Sequence, residues 1–502
     1  MPHLLGNSIL ALALGWATWT GAAVPTAAAP TDSAADTTCD GRAATIVATA
    51  DDQTIVGTDG PDVISSAGFR RVTIDPGGGD DVVCNYLTGF VMYREFGRVL
   101  ASEGDDTIHV SASIRAAGGP GADTLVGTGA KVQLSGGDGP DHLYLGQPDP
   151  GAAPPTSASF STADGGPGDD VITMTDNLST TGAGGDGNDQ LIVQGTGSDT
   201  TAAPGLGDDT VTASPGSGAI LGYSGPEPLD FQVADGVVDG AGHDTFSGVT
   251  AFSGGTGADI FRGTDNPEIW IDHDIPTTHR GADVIDGAGG DDTLSTVFGT
   301  IDAGAGADTV TVRAGTARGG EGDDTLAIDQ SGTAIGGPGD DSIRANWSGV
   351  EYTRFDGAAS FVERGGAGDD VLYPASAYDA GGDGQEDRCT SGERCRTRVA
   401  GGDGRDTVSI TGKGRATIDL AAGSVLYGNG RGRMTSIEVA RGNEWADRLL
   451  GTSGADELIG GFGNDVLIGR GGPDRLIGDQ DRDIAYGGPG RDVCRAEVRR
   501  SC

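Results

Sequence analysis

The sequence predicts an all-β fold, a parallel β-roll or right-handed β-solenoid built from glycine–aspartate repeats. Three observations predict it. Asp447, Asp456, Asp465, Asp474, Asp483 and Asp492 fall nine residues apart without interruption. A Gly-Gly-x-Gly-x-Asp unit, followed by a variable and then a large apolar residue, recurs upstream at wider spacing. Glycine (92 residues) and proline (22) are abundant, and the net charge is −42. That composition suits thin coils, each burying only a narrow apolar stripe against its neighbours, better than one thick core.

Residues 1–29 read as a secretory signal peptide. Ile9 to Trp19 is its apolar run, and Gly21 to Ala29 supplies small residues for cleavage. The run is too short to favour a membrane span, and no second apolar segment of spanning length follows. Residues 30–50, rich in Ala, Thr and Asp, read as a linker.

Residues 51–409 read as an irregular solenoid. Full copies of the unit end at Asp62, Asp123, Asp141, Asp170, Asp189, Asp259, Asp324, Asp341, Asp370 and Asp406. Degenerate copies end at Asp81, Asp106, Asp209, Asp244, Asp292 and Asp308. Most intervals are 16 to 20 residues, so one unit recurs per whole coil and the opposite turn carries no matching aspartate. The expectation is a cation along one edge only. Carboxylate pairs such as Asp369-Asp370 divide the work: the second is the ligand and the first a turn residue.

Two stretches break the rhythm, Gly222 to Val249 and Ile410 to Val439. Both return through similar sequences, ADIFRGTDNPE and ADRLLGTSGADE, with Glu268 standing where Asp456 stands. They read as a duplicated insertion, either a wider coil or a surface hairpin, the second making 410–445 an insertion and return segment. Residues 446–494 form the regular nonapeptide roll, and 495–502 a C-terminal cap.

In the regular roll each nonapeptide is one turn and one short strand, so two close a coil of about eighteen residues. Leu449, Leu458, Leu467 and Leu476 occupy the inward position. Asp456, Asp474 and Asp492 then line one edge, and Asp447, Asp465 and Asp483 the other. Gly454, Gly461, Gly463, Gly472, Gly488 and Gly490 let the turns adopt positive φ and bring carbonyl oxygens together. Carboxylates and carbonyls alone, without thiol or imidazole, suit a hard cation of irregular geometry: calcium, in multiple ions. An EF-hand is excluded, because Ile484 stands where the loop from Asp479 needs glycine.

On these residues the chain resembles the RTX, or haemolysin-type, calcium-binding nonapeptide-repeat family. The resemblance implies a calcium-loaded roll. Members often carry a catalytic domain, but this chain has no repeat-free segment of domain size, no HExxH and no GxSxG. The nearest approach, Gly222-Tyr223-Ser224-Gly225-Pro226, lacks the final glycine.

The charge bounds the partners. Only Lys131 and Lys413 are lysines, and no basic patch offers a nucleic-acid surface. Six cysteines fit an oxidising compartment. Fifteen pairings are open, and spacing suggests Cys389 with Cys395, Cys494 with Cys502, and Cys39 with Cys84. The expected function is a secreted, calcium-stabilised extracellular scaffold with a surface or adhesive role and no enzymatic activity. Its partners would be calcium and a cell-surface or extracellular polysaccharide or protein. The alternative is a polysaccharide-active enzyme, a lyase, epimerase or hydrolase, working on a face of the β-helix. A groove of arginines, aromatic residues and acids away from the repeat edges would favour it.

Overall fold

The computed structural model describes residues 38–86, 97–111, 113–146, 160–175, 179–194, 200–271, 282–345, 360–374, 396–411, 414–427 and 430–502. The expected signal peptide and the Cys389–Cys395 pair lie outside these residues. Every regular element among them is a strand, so none is a helix long and apolar enough to cross a membrane.

The strands stack into two facing walls of a solenoid. In the first wall, Leu125, Leu143, Ile172, Leu191 and Val211 follow one another in parallel register. In the second wall the register runs through Ala116, Leu134, Ala163, Gly182, Ala202 and Leu221. Branched side chains of one wall thus face many Ala and Gly positions of the other, which keeps the coil thin. Gly182 is needed for that fit, since a Cβ there would lie 2.9 Å from Met174 Sδ. Leu449, Leu458, Leu467 and Leu476 are fully buried, as their inward placement predicts. Parallel strands advance about 4.8 Å each, so roughly twenty coils make a stack on the order of 100 Å long.

Both insertions enlarge the first wall. After Thr210–Ala213 the wall continues through His243–Ser247, Val237–Asp239, Asp230–Gln232 and Ile260–Arg262, the three middle strands pairing antiparallel. The second insertion repeats this through Gly430–Thr435, Ser424–Tyr427 and Ala416–Asp419, between Arg396–Asp403 and Arg448–Leu450. The added strands are therefore built into the wall rather than laid on the surface. At the first insertion Phe231, Phe252, Phe261 and Trp270 fill the core, with the Phe231 and Trp270 ring centroids 4.8 Å apart.

The linker expected over 30–50 stops short of Thr38. Ile46–Val47 already pairs in parallel with Val63–Ser65, and buried Cys39 is bonded to Cys84. Two apolar residues per strand are too few to stand out from an Ala/Thr/Asp background. At the other end Val498–Arg500 pairs with Ile484–Tyr486, and Cys494 is bonded to Cys502.

Candidate metal centre

The aspartates of the repeat stack into rows at the turns. In the first row each backbone N–H donates to the Oδ1 atom of the next aspartate, one coil on. The row runs Asp62, Asp81, Asp106, Asp123, Asp141, Asp170, Asp189, Asp209, Asp244, at 2.7–2.9 Å. It leads into the first wall. Asp259, linked to Asp283 at 3.0 Å, continues on that edge beyond the insertion.

A second row occupies the opposite edge and leads into the second wall. It runs Glu268, Asp292, Asp308, Asp324, Asp341, Asp370, Asp406 and Glu438, and the same edge later carries Asp456, Asp474 and Asp492. The edge carrying the row therefore changes at the first insertion, where Asp259 and Glu268, then Asp283 and Asp292, lie nine residues apart. Asp447, Asp465, Asp483 and Glu497 restore a row on the first edge. The regular roll is thus acidic on both edges, with the alternation the nine-residue spacing predicts.

Oδ1 is satisfied in these rows, whereas in most members Oδ2 is not. Seventeen aspartates bury Oδ2 with no hydrogen-bond partner: Asp81, Asp106, Asp123, Asp141, Asp170, Asp189, Asp209, Asp292, Asp308, Asp324, Asp341, Asp370, Asp406, Asp465, Asp474, Asp483 and Asp492. A buried anionic oxygen without a donor is costly. In thirteen of the seventeen it lies against the glycine five residues earlier, and in eleven of these also near a carbonyl of the next coil; before Asp81, Asp106, Asp209 and Asp308 that position is proline or alanine. A Cβ at Gly469 would sit 2.1 Å from Asp474 Oδ2 and 2.7 Å from the Gly487 carbonyl oxygen. At Gly336 the corresponding distances are 1.9 Å to Asp341 Oδ2 and 2.7 Å to Gly365 O. Carboxylate and carbonyl oxygens converge there with no N–H between them, a donor set that fits a hard divalent cation.

Burial also raises the carboxyl pKa values. Loss of solvent, reinforced by neighbouring carboxylates and opposed by the backbone N–H at Oδ1, brings Asp141, Asp189, Asp341 and Asp465 up to about 7. Asp81 and Asp474 rise to about 6 for the same reasons. Among the described residues no three His, Cys, Asp or Glu side chains converge on one point. One carboxylate per turn with backbone carbonyls is the arrangement, not a cage of side chains.

Of the glycines singled out in the roll, Gly461, Gly463, Gly472 and Gly488 have positive φ, whereas Gly454 and Gly490 do not. Gly490 is required by close approach instead, a Cβ there falling 1.9 Å from Gly472 O, while Gly454 has room for one. Asp81, Asp106, Asp209 and Asp292, whose motifs are degenerate, stand in the rows on equal terms with the full copies. Glu438 and Glu497 also join rows, with no repeat motif to mark them.

The outer residue of each pair is equally organised. Asp369 N–H donates to Asp340 Oδ1 at 2.8 Å, and Arg405 N–H to Asp369 Oδ1 at 2.8 Å. The same exposed contact recurs from Asp105 to Asp80 and from Asp208 to Asn188.

The RTX calcium-binding nonapeptide-repeat model matches the chain in four copies, at residues 117–147, 277–299, 441–476 and 468–497. No curated protein matches it. The matched segments fall in the one-edged region, at the change of edge and in the two-edged roll. The chain carries RTX calcium-binding nonapeptide repeats at these residues.

Proposed function

We propose that this protein is exported and acts outside the cell as a calcium-stabilised scaffold, its solenoid serving a surface or adhesive role. The observation that carries the reading is the set of rows of buried, donor-free Oδ2 atoms, in which the row aspartates and the facing glycine carbonyls hold the ions. Bound cations turn the strongest repulsion in the fold into attraction, so binding energy becomes folding energy. The apolar N-terminal run and the Cys39–Cys84 and Cys494–Cys502 bonds support an oxidising, extracytoplasmic location. The test is circular dichroism of the full chain in chelator during calcium titration. β-Structure should increase cooperatively over the metal-free chain, and its melting temperature should rise, as calcium reaches about 0.1–1 mM, the range of extracellular modules, and magnesium should not replace it. A spectrum unchanged by calcium would refute the reading.

One observation favours polysaccharide engagement. On the outer face of the second wall Arg405, Arg441, Arg475, Glu457, Phe462 and Asp479 line a groove beside the turns that carry the ion rows. Arg405 and Arg475 both pair with the Glu457 carboxylate, and Phe462 is half exposed. Guanidiniums beside an exposed ring suit an acidic sugar chain. Glu457, held between two cations, is poorly placed as a general acid, so binding suits this groove better than catalysis. Acidic oligosaccharides titrated with calcium present should bind the wild type and lose affinity in Arg441→Ala.

A further inference from the structure

The row carboxylates fall into two structural classes, and the division follows position in the row. Interior members have the orphaned Oδ2 described above. Four row starters do not. Asp62 Oδ2 accepts the Thr58 N–H at 2.7 Å and its hydroxyl at 3.0 Å. Asp456 Oδ2 accepts the Thr452 N–H at 2.6 Å and hydroxyl at 3.0 Å. Glu268 accepts the Thr264 N–H at 3.0 Å and hydroxyl at 2.5 Å. Asp447 Oδ2 accepts the Asn443 N–H at 2.7 Å. Beside the first insertion, Asp244 Oδ2 accepts the Tyr223 hydroxyl and Asp283 Oδ2 the Thr296 hydroxyl, both at 2.6 Å.

The backbone explains the division. In sixteen of the seventeen orphaned cases the fourth residue before the aspartate has positive φ, Ser102 before Asp106 being the exception. This holds where that residue is not glycine: Ala288, Arg470 and Asp479 adopt φ of 67°, 74° and 75° before Asp292, Asp474 and Asp483. Thr58, Thr264, Asn443 and Thr452 do not have positive φ, and their N–H groups turn onto the carboxylate. Where N–H and hydroxyl both reach Oδ2, as at Asp62 and Asp456, its two lone pairs are filled. The donors there supply the positive complement that an interior oxygen can obtain only from a cation.

We infer that the ion rows are bounded by protein-capped carboxylates: Asp62, Glu268, Asp447 and Asp456 open them, Asp244 and Asp283 flank the insertion, and none of these six holds calcium. This rests on the calcium reading above. Thr58, Thr264, Asn443 and Thr452 are then positioning residues that set where a row begins. Within the rows, a non-glycine residue in the left-handed region four before the aspartate, as at Ala288, Arg470 and Asp479, marks an ion-holding turn.

The experiment counts calcium per chain by plasma emission spectrometry on the full protein after gel filtration in calcium. Asp456→Asn should keep the wild-type count, and Asp474→Asn should lose at least one ion. Glu268→Gln against Asp308→Asn repeats the comparison in another row and keeps the test decisive if one variant does not fold. Equal losses in the starter and interior variants would overturn the capping inference while leaving the calcium reading intact. A wild-type chain without calcium would overturn both.

Discussion

The backbone N–H of Asp341 donates to Oδ1 of Asp370, 2.9 Å away and 29 residues on in sequence. The adjacent pair is linked in the opposite sense, Asp369 N–H donating to Asp340 Oδ1 at 2.8 Å. Consecutive coils are thus clasped from both sides of one turn, the inner contact buried and the outer exposed.

The two contacts should differ in energy. Asp370→Ala leaves the buried Asp341 N–H without an acceptor, which costs about 1–3 kcal/mol before any loss of an ion. Asp340→Ala exposes the Asp369 N–H to water, which replaces the lost acceptor, so the cost should be about 1 kcal/mol or less. Urea unfolding in saturating calcium measures both. Equal midpoint shifts would show that the inner contact has no special weight.

Ala288 offers a cleaner test of the left-handed turn. Its φ of 67° is unfavourable for a residue with a Cβ by roughly 1–2 kcal/mol, partly offset by the lower entropy of the unfolded Ala chain. Ala288→Gly should therefore raise stability in calcium by up to about 1 kcal/mol, read as a higher melting temperature. Destabilisation would mean that the Cβ makes a contact worth more than the strain.

Much of this architecture is legible in the sequence, and the gaps have physical causes. The nine-residue spacing from Asp447 to Asp492 encodes both edges, because half a coil is one turn and one strand. The change of edge is hidden: the interval from Asp292 to Asp308 resembles that from Asp106 to Asp123, and spacing within an edge does not say which edge. The caps differ from interior turns by a single residue, Thr452 where Gly461 stands in the next unit, and the meaning of that difference lies in an N–H direction.

Glu363 is one residue the repeat pattern did not flag. It points into the core, in register with Ala334 and Val399, and both carboxyl oxygens lack partners among the described residues. Burial raises its pKa well above the ordinary carboxyl range. Glu363→Met, similar in volume and uncharged, should stabilise the protein at neutral pH by about 1–3 kcal/mol. The gain should shrink toward acid pH, where the wild-type carboxyl is protonated in both states. A Met variant melting lower at pH 7.5 would show that the carboxyl has a partner.

The rows themselves predict how pH and calcium compete. Asp141, Asp189, Asp341 and Asp465 titrate near 7 in the metal-free fold, against about 3.9 in an unfolded chain. A raised carboxyl pKa means the folded state holds its protons longer. Its contribution to stability is fully present below about pH 4 and is lost as pH rises through about 7. In chelator, the melting temperature should therefore fall from pH 4.5 to pH 7.5. Repulsion among the exposed acids acts in the same direction but is screened by salt, so the buried rows should dominate the trend at about 0.5 M salt. Calcium must displace these protons, so its affinity should rise with pH up to about 7 and then level. Calorimetry in buffers of different ionisation enthalpy should detect net proton release at pH 6.5 and little at pH 8.5. Melting temperatures that climb with pH in chelator and high salt would refute the burial of these carboxylates in the metal-free fold.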